Sequence, residues 1–409
     1  MTPRPRVLMA HRYYWPDTAP YGRLLKPLAV GLAAAGMDVT VFSTQPFYGS
    51  AGRQTRLPVR SCEDGVRVIR SRWIGAPGQH RLARLLADLA FVVALAWHLL
   101  IGRRYDLVTV STSPPVTGAL AVRLMSLLRG SAMIYHCQDL HPEAAIAGGL
   151  LKPGWLSELL QRLDAWTCAR ANRVVVLSAD MREGLARRGL ANENVTVLNN
   201  FVVPAPQTVT AGGAVWDKPP GCFLVLFAGN LGRFQGLESV MSAAELLQDQ
   251  ERIRFVFVGE GVLLPELRAR ARRMRRCNVA LLGFQPQPVL DQLLAQADVA
   301  LVTLKPGMHR YSYPSKTQSY LAAGCRLLAA VDEPSELATM IRTQRLGGVC
   351  PPDRPELLAD AILGLSRGPA VDSDDRLRAQ RAARQFSEQA VVSRWLSLVR
   401  DVLGEGKGR

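Results

Sequence analysis

The sequence predicts an α/β protein built from two doubly wound, parallel-sheet units of similar size. Its 409 residues exceed what one ordinary hydrophobic core supports, so two domains are expected. In both halves, short apolar runs typical of buried strands alternate with segments of helical period, which is the signature of a parallel sheet covered by helices. The pattern lapses around residues 203–221, where proline, glycine and threonine dominate, and then restarts.

The first half carries strand and helix signals in regular succession. Strands are predicted over 6–10, 39–43, 66–71, 107–111, 132–136, 173–177 and 195–198. Helices are predicted over 21–35, 85–101, 116–128, 156–169 and 179–188. This succession places the first unit at residues 1–204.

The second half repeats the arrangement after a linker at 205–221. Strands are predicted over 223–227, 254–258, 279–282, 299–303 and 327–330, with helices between them and an amphipathic helix over 387–403. The second unit therefore spans 222–386, and segment 387–409 is expected to cross back to the first unit. Ligands of doubly wound sheets bind beyond the carboxyl ends of the strands, so we expect the active site in a cleft between the units.

The net charge of +16, carried mostly by arginine, favours an anionic partner such as nucleic acid, lipid headgroups or a phosphate-bearing substrate. The alternative is that the high arginine content reflects genomic base composition alone and indicates no partner. The sequence has no zinc-knuckle spacing, no RNP-like aromatic strand and no basic stripe interleaved with aromatic residues, which argues against nucleic acid.

The seven cysteines include no C-x-x-C pair, and their number is odd. This argues against a disulfide framework and a zinc site and favours a reducing compartment. The first apolar run, at 7–10, is too short for the core of a signal peptide. We therefore expect a cytoplasmic protein.

One apolar segment, at 85–101, is almost long enough to span a bilayer. It contains two polar residues and is flanked by arginines: Asp88 and His98, and Arg81, Arg84, Arg103 and Arg104. The favoured interpretation is a buried domain helix. The alternatives are a helix that lies in the membrane interface, anchored by its arginines, and a transmembrane helix.

The segment FAGNLGRFQG, at 227–236, joins a predicted strand to a predicted helix. Glycines at such a turn let the backbone approach a ligand, and the helix N-terminus offers N–H groups and a positive dipole to an anion. Arg233 adds a positive charge. The turn is predicted to hold a phosphate or diphosphate; the alternative is a tight turn whose glycines serve packing alone.

Six short motifs then follow one another at consistent spacing. They are YWP (14–16), TSPP (112–115), QDLHPE (138–143), VTVLNN (195–200), GNLG with QG (229–236), and PSK with YLAAG (314–324). Together they resemble the family 4 retaining glycosyltransferases, in the branch that builds capsule, exopolysaccharide and O-antigen. The resemblance covers nearly the whole chain.

The resemblance implies the GT-B fold, with two Rossmann-like domains facing a central cleft. It also implies transfer of a sugar from a nucleotide-sugar donor, UDP-linked by expectation, to a lipid-linked saccharide acceptor. No metal or other cofactor and no nucleic acid are expected. The first unit would hold the acceptor and the second the donor, with the protein peripheral at the inner face of the cytoplasmic membrane.

On the donor side, the resemblance assigns residues from three loops and one helix. These are Gly229, Asn230, Gly232, Arg233, Gln235, Phe284, Ser315, Lys316, Ser319 and Tyr320. Arg233 and Lys316 are the candidates for neutralising the diphosphate, since Asn230 and Gln235 stand where the family usually has arginine and lysine. The loop at 283–285 would bind the nucleoside or serve as a plain turn. The loop at 259–261 would approach the donor or likewise serve only as a turn.

On the acceptor side, the candidates for catalysis are His136, Asp139, His141 and Glu143. Asp139 would orient the acceptor or bind a donor-sugar hydroxyl. Relatives often have a histidine where Gln138 stands, and His136 or His141 could act in its place. A structural role is the alternative for each histidine, and a helix N-terminal charge is the alternative for Glu143.

The sequence departs from the family at two glutamates, whose positions hold Tyr311 and Ser319. Either other groups, among them Ser319, Tyr320, Asp332 and Glu333, bind the ribose and sugar, or activity has been lost. Two further classes therefore stay open: a GT-B sugar-nucleotide epimerase, and a catalytically silent partner of another transferase. The D-x-D match at 372–374 is explained by capping of the helix that follows, and no metal site is predicted.

Overall fold

The computed structural model describes residues 4–17, 19–46, 56–71, 81–190, 192–202 and 216–405. The chain divides into two compact units. The first comprises Met1–Ile146, Leu150–Val203 and Glu388–Arg409, and the second comprises Ala147–Gly149 and Pro204–Ser387. The linker expected at 205–221 falls largely on 203–215, which lie outside the described residues.

The described strands of the first unit form one sheet in the order β3-β4-β2-β1-β5-β6-β7-β8. Their bounds are β1 Arg6–Ala10, β2 Asp38–Ser43, β3 Arg60–Glu63, β4 Val66–Arg70, β5 Leu107–Ser111, β6 Ala132–Cys137, β7 Arg173–Val176 and β8 Val195–Val197. All neighbouring pairs are parallel except β3 and β4, which form a hairpin. Strand β3 was not predicted, because its four residues carry little apolar signal; its turn at Asp64 and Gly65 has positive φ at both positions.

The second unit contains a wholly parallel sheet in the order β11-β10-β9-β12-β13-β14. Its strands are β9 Phe223–Ala228, β10 Ile253–Val258, β11 Val279–Leu282, β12 Val299–Thr303, β13 Leu327–Ala330 and β14 Gly347–Cys350. Both sheets are doubly wound and Rossmann-like, as the sequence predicts. Strand β14 was not predicted, since its sequence, GGVC, is short and glycine-rich.

Helices cover the sheets of both units. In chain order they are α1 Pro20–Ala34, α2 Arg81–Ile101, α3 Thr117–Arg129, α4 Glu143–Ala147, α5 Trp155–Arg170, α6 Ala179–Ala186, α7 Leu237–Leu246, α8 Leu264–Ala271, α9 Gln287–Gln296, α10 Lys316–Ala322, α11 Glu336–Thr343, α12 Pro355–Arg367, α13 Ser373–Ala383 and α14 Glu388–Glu405.

Helix α14 completes the core of the first unit, although it follows the second unit in sequence. Its apolar residues recur at helical spacing and are buried together with residues of α1 and the central strands. Trp395 is buried and its ring centroid lies 4.9 Å from that of His136, at the end of β6. The core of this unit therefore depends on residues almost 400 positions from its first strand.

Helix α2 corrects the favoured interpretation of the apolar segment at 85–101. Only one stripe of the helix, which contains Phe91, Leu95 and Leu99, is buried. Leu85 and Trp97, by contrast, are 65% and 61% exposed. Over Leu82–Ile101 the helix is long and apolar enough to cross a membrane, and only 17% of that window is buried. Most residues of α2 are apolar on every side of the helix, whereas the rest of the first unit covers only one side. The sequence pattern alone therefore could not show which face of the helix is exposed.

Candidate active site

The donor-side candidates lie where the strand order of the second sheet reverses. Strands β9 and β12 are neighbours there, and the chain winds away from them in opposite directions. The loop after β9 is joined to the segment that follows β12, because the Lys305 amide donates to the Phe234 carbonyl at 2.9 Å. This crevice at the carboxyl ends of the strands is the usual ligand site of such sheets.

Two glycine loops at this edge pack backbone against backbone. The Leu231 amide donates to the Glu260 carbonyl at 2.8 Å. Gly259 has φ +132°, and a Cβ atom there would lie 2.0 Å from the carbonyl oxygen of Gly229. A Cβ atom on Gly261 would lie 2.2 Å from the Leu231 carbonyl oxygen. Gly259 and Gly261 thus allow the second loop to support the predicted phosphate turn.

Replacing Gly259 with alanine is expected to lower the free energy of unfolding by about 2–3 kcal/mol, because the new methyl group overlaps fixed backbone. Gly364 provides a matched control at an exposed position of α12, where a Cβ atom meets nothing within 4 Å. Gly364→Ala should raise the free energy of unfolding by about 0.5–1 kcal/mol, since alanine is the better helix former. Urea denaturation measures both, and equal effects from the two substitutions would contradict the role given to Gly259.

Lys316 lies beside this turn without an acidic partner. Its ammonium is 3.5 Å from the centroid of the buried Phe227 ring and donates to Oε1 of Gln235. Within the described residues no carboxylate forms an ion pair with it. Burial therefore lowers the pKa of Lys316 well below its ordinary value. A cation with only a neutral amide and a ring face as partners is ready to accept an anion.

The other donor-side candidates differ in exposure. Asn230, Arg233, Ser315 and Ser319 are exposed, and Phe284 is 73% exposed, so all can meet a ligand. Tyr320 cannot, and its predicted contact with the donor is corrected. Its side chain is buried, and its hydroxyl accepts from the Ala228 amide at 2.6 Å and donates to the Ala228 carbonyl at 3.0 Å. Tyr320 instead fixes the end of β9, from which the turn departs.

The two acidic residues suggested as replacements for the missing glutamates are already engaged. The Asp332 carboxylate accepts from His309 Nδ1 at 2.7 Å and from the Gly307 amide at 2.9 Å. Glu333 pairs with Arg342. Both carboxylates are therefore used within the unit. The buried His309 was not singled out from the sequence, because a lone histidine gives no pattern.

The D-x-D match is a helix cap, as predicted. The Asp372 side chain accepts from the Asp375 amide at 2.7 Å at the start of α13. Asp375 pairs with Arg326 and Arg378. In the part of the chain that the structure describes, no three His, Cys, Asp or Glu side chains are grouped to hold a metal ion.

In the first unit, His136 belongs to a hydrogen-bonded chain at the carboxyl end of the sheet. Its Nε2 accepts from the Gln138 amide at 2.7 Å, which leaves the proton on Nδ1, 2.8 Å from the Tyr21 hydroxyl. Gln138 in turn accepts from Asn200 at 2.6 Å. Burial, and then the charge of His11, lower the pKa of His136 to about 3. His136 therefore stays neutral with both nitrogens engaged, which favours the structural role named above as the alternative to catalysis.

Glu143 is likewise corrected from a catalytic to a structural role. Arg188 pairs with Glu143 and with Asp164, and it donates to the His141 carbonyl at 3.2 Å. Asp164 is only 2% exposed at its side chain and also accepts from the Tyr135 hydroxyl at 3.0 Å. Arg188 thus ties the QDLHPE loop to α5. No sequence pattern linked these residues, which are far apart along the chain.

Asp139 differs from Glu143 in the same loop. Its carboxylate is half-buried and, within the described ranges, makes no hydrogen bond or ion pair. Burial lowers the pKa of His141, while the nearby Asp139 acts in the opposite direction. Of the four acceptor-side candidates, Asp139 and His141 are thus the two whose side chains make no hydrogen bond or ion pair with the described residues.

The two halves of the chain match two families of known proteins. Residues 21–200 match the family described as "Glycosyl transferase 4-like domain", and residues 222–367 match "Glycosyl transferases group 1".

Two curated relatives and one solved structure resemble the chain over most of its length. The probable glycosyltransferase WbjE of Pseudomonas aeruginosa is 29% identical over 339 residues, covering 80% of this chain and 81% of the relative. The putative colanic acid biosynthesis glycosyl transferase WcaI of Escherichia coli (strain K12) is 26% identical over 415 residues, covering 97% and 100%. The structure of Anabaena HepE in complex with UDP-glucose has a TM-score of 0.66 at 16% identity, covering 97% of this chain and 99% of that one. At that identity the structural likeness concerns the fold alone.

Proposed function

The chain belongs to the family 4 glycosyltransferases, and from this premise we propose that it transfers a sugar from a UDP-sugar to a lipid-linked saccharide acceptor in cell-surface polysaccharide synthesis. Transfer would proceed with retention of the anomeric configuration and without a metal ion. The second unit would bind the donor and the first unit the acceptor.

The observation that carries this proposal is the ammonium of Lys316 at the glycine turn, which pairs with no carboxylate among the residues that the structure describes. A departing nucleoside diphosphate develops negative charge, and an enzyme that uses no metal must supply fixed cations and N–H groups. Lys316 lies against Gly229 and Phe227, and the exposed Arg233 is in the same turn. Because Gln235 gives Lys316 only a neutral partner, a bound diphosphate would be its first counter-charge.

The donor nucleoside is proposed to be uridine. Support comes from HepE, which shares the fold and is described as a complex with UDP-glucose. The exposed Phe284 follows β11 at the same edge of the sheet and offers a ring on which a base can stack. Titration of the purified protein with UDP and with GDP tests this choice, and tighter binding of GDP would refute it.

On the acceptor side, we assign Asp139 to orienting the attacking hydroxyl. Its carboxylate is available, while His136 and Glu143 are held in internal hydrogen bonds and ion pairs. Asp139→Asn should reduce transfer more than it reduces UDP binding. A parallel loss of both would mean that Asp139 serves the donor.

A lipid-linked acceptor would be reached at the membrane surface. The exposed apolar face of α2, the flanking arginines and the net charge of +16 suit a helix that lies in the interface of an anionic bilayer. The relative WcaI is named for colanic acid biosynthesis. We therefore propose a peripheral position at the cytoplasmic face of the inner membrane.

The double variant Leu85→Glu/Leu89→Glu tests this contact. A fully buried leucine contributes about 1.5–3 kcal/mol, so two charged replacements should weaken binding to anionic vesicles by at least about tenfold. Leu377→Glu is the control, because Leu377 is also half-exposed but lies on α13 of the second unit. Co-sedimentation with vesicles is the measurement, and equal binding by the two variants would refute the role of α2.

The activity itself is tested with purified protein and a panel of nucleotide sugars. Thermal shift should identify the donor, because a ligand that binds only the folded state raises the melting temperature. Release of UDP in the presence of a chelator, and the anomer of the product by NMR, then test metal independence and retention. Conversion of one sugar nucleotide into another would favour the epimerase, and absence of both binding and turnover would favour the silent partner.

A further inference from the structure

We propose that a groove beside α2 binds one hydrocarbon chain of an anionic membrane phospholipid. This inference deepens the proposed membrane contact of α2 and rests on it. The groove has a volume of about 1030 Å³ and lies in the first unit between α2 and the strands β2, β3 and β4. Its size suits a single lipid chain, since ligand cavities of roughly 300–1,000 Å³ hold drug-sized molecules.

The walls of the groove are largely apolar. Helix α2 contributes a stripe at helical spacing that includes Leu86, Val93 and Trp97, and the strands contribute Phe42 and Ile69. The same α2 side chains are more than half exposed. A chain can therefore pass from a bilayer that contacts α2 into the groove without crossing water, which is the least costly route for a hydrocarbon.

The length of the groove also fits a lipid chain. From Leu86 to Ile101, both of which line it, the helix rises about 22 Å at 1.5 Å per residue. One leaflet of a bilayer has a hydrocarbon depth of about 15 Å, half of the roughly 30 Å core. An entire acyl chain of a phospholipid thus fits along the helix.

Positive charge is concentrated at the α2 C-terminal end of the groove. Arg67 and Arg103 both line it and share a single carboxylate, that of Asp38, to which Arg103 donates at 2.7 Å. Burial, and then the neighbouring charge of Arg103, lower the pKa of Arg67. Because these two arginines share one carboxylate, one positive charge is left over, and a lipid phosphate would neutralise it.

The position of these arginines identifies the lipid as a phospholipid of the membrane and not the acceptor. Asp38 is the first residue of β2, so Arg67 and Arg103 lie at the amino ends of the strands. The proposed sugar transfer, by contrast, would take place at the carboxyl ends of the strands. At the other end of the groove, Arg70 is already compensated by Glu63. The lipid would therefore anchor and orient the first unit at the bilayer.

The test uses monoacyl phosphatidylglycerol and monoacyl phosphatidylcholine of one chain length, below the concentration at which they form micelles, with calorimetry as the readout. The wild-type protein should bind the anionic lipid more tightly. Ala94→Phe fills the groove, since Ala94 lines it, and should weaken binding of both lipids by about tenfold. Ala83→Phe is the matched control on the same helix, outside the groove, and should bind as the wild type does.

The arginine end is tested with Arg67→Gln, which leaves Arg103 on Asp38. This variant should lose about tenfold in affinity for the anionic lipid and little for the zwitterionic one. Unchanged binding by Ala94→Phe, or equal affinity of the wild type for the two lipids, would overturn the inference, provided that circular dichroism shows each variant folded. The assay contains neither vesicles nor a nucleotide sugar, so a failure of the proposed transfer or of vesicle binding would be distinguishable from a failure of the groove.

Discussion

Substitution of Lys316 by methionine is expected to lower kcat/KM for the sugar donor by about 10²- to 10³-fold, the usual loss when one preorganised donor to a developing anion is removed. Methionine retains an apolar contact with the Phe227 ring and removes the charge together with the hydrogen bond to Gln235. Arg272→Met is the control for net charge, because Arg272 is exposed at the end of α8, outside the glycine turn. Steady-state release of UDP measures both, and similar kinetics in the two variants would remove Lys316 from the diphosphate site.

The lowered pKa of Lys316 predicts a second measurable effect of the Lys316→Met substitution, on the protons taken up when UDP binds. Burial disfavours the ammonium in the free protein, whereas a bound diphosphate favours it and raises the pKa again. UDP binding should then take up protons between the two pKa values and weaken as the pH rises through that interval. Calorimetry in buffers of different ionisation enthalpy measures the uptake, and Lys316→Met should abolish it.

Replacement of Arg188 by alanine should lower the free energy of unfolding by about 3–5 kcal/mol, since it leaves the buried Asp164 carboxylate without its counter-charge. That loss is a large part of the 5–15 kcal/mol typical of a folded domain. The neighbouring Arg187 is a matched control, because it forms an exposed pair with Glu183. Arg187→Ala should cost at most about 0.5 kcal/mol.

A second substitution separates charge from packing at this site. In the Arg188→Ala background, Asp164→Asn removes the uncompensated charge and can still accept from the Tyr135 hydroxyl. Part of the lost stability should return in urea denaturation. If Asn at 164 makes the double variant less stable than Arg188→Ala alone, the ion pair is not the cause of the loss. Either variant should also raise KM for the acceptor, because Arg188 holds the loop that carries Asp139.

The sequence predicted most of the fold because hydrophobic period is a local signal. Strands 107–111, 279–282, 299–303 and 327–330 have the same bounds in the structure. The exposed face of α2 was not predictable in the same way. Its residues would suit a core, and only the arrangement of neighbouring elements decides which of them are covered.

The sequence pointed to the glycine turn and to Lys316 because each stands in a short motif of its own, at 229–236 and at 314–316. The candidate site was not predictable where side chains meet across the fold. Tyr320 reaches Ala228, and Arg188 reaches Asp164, through contacts between distant segments. The sequence had suggested donor binding for Tyr320 and catalysis for Glu143, the second partner of Arg188, whereas their contacts show that both support the structure.

The position of α14 has a consequence for synthesis on the ribosome. The second unit is nearly continuous in sequence, from Pro204 to Ser387, and can close soon after its last strand is made. The first unit emerges earlier yet lacks the wall formed by Val391, Trp395 and Val399 until the second unit has been synthesised. Its apolar sheet face therefore stays uncovered while the whole second unit is synthesised, so we expect the nascent first unit to need a chaperone during that interval.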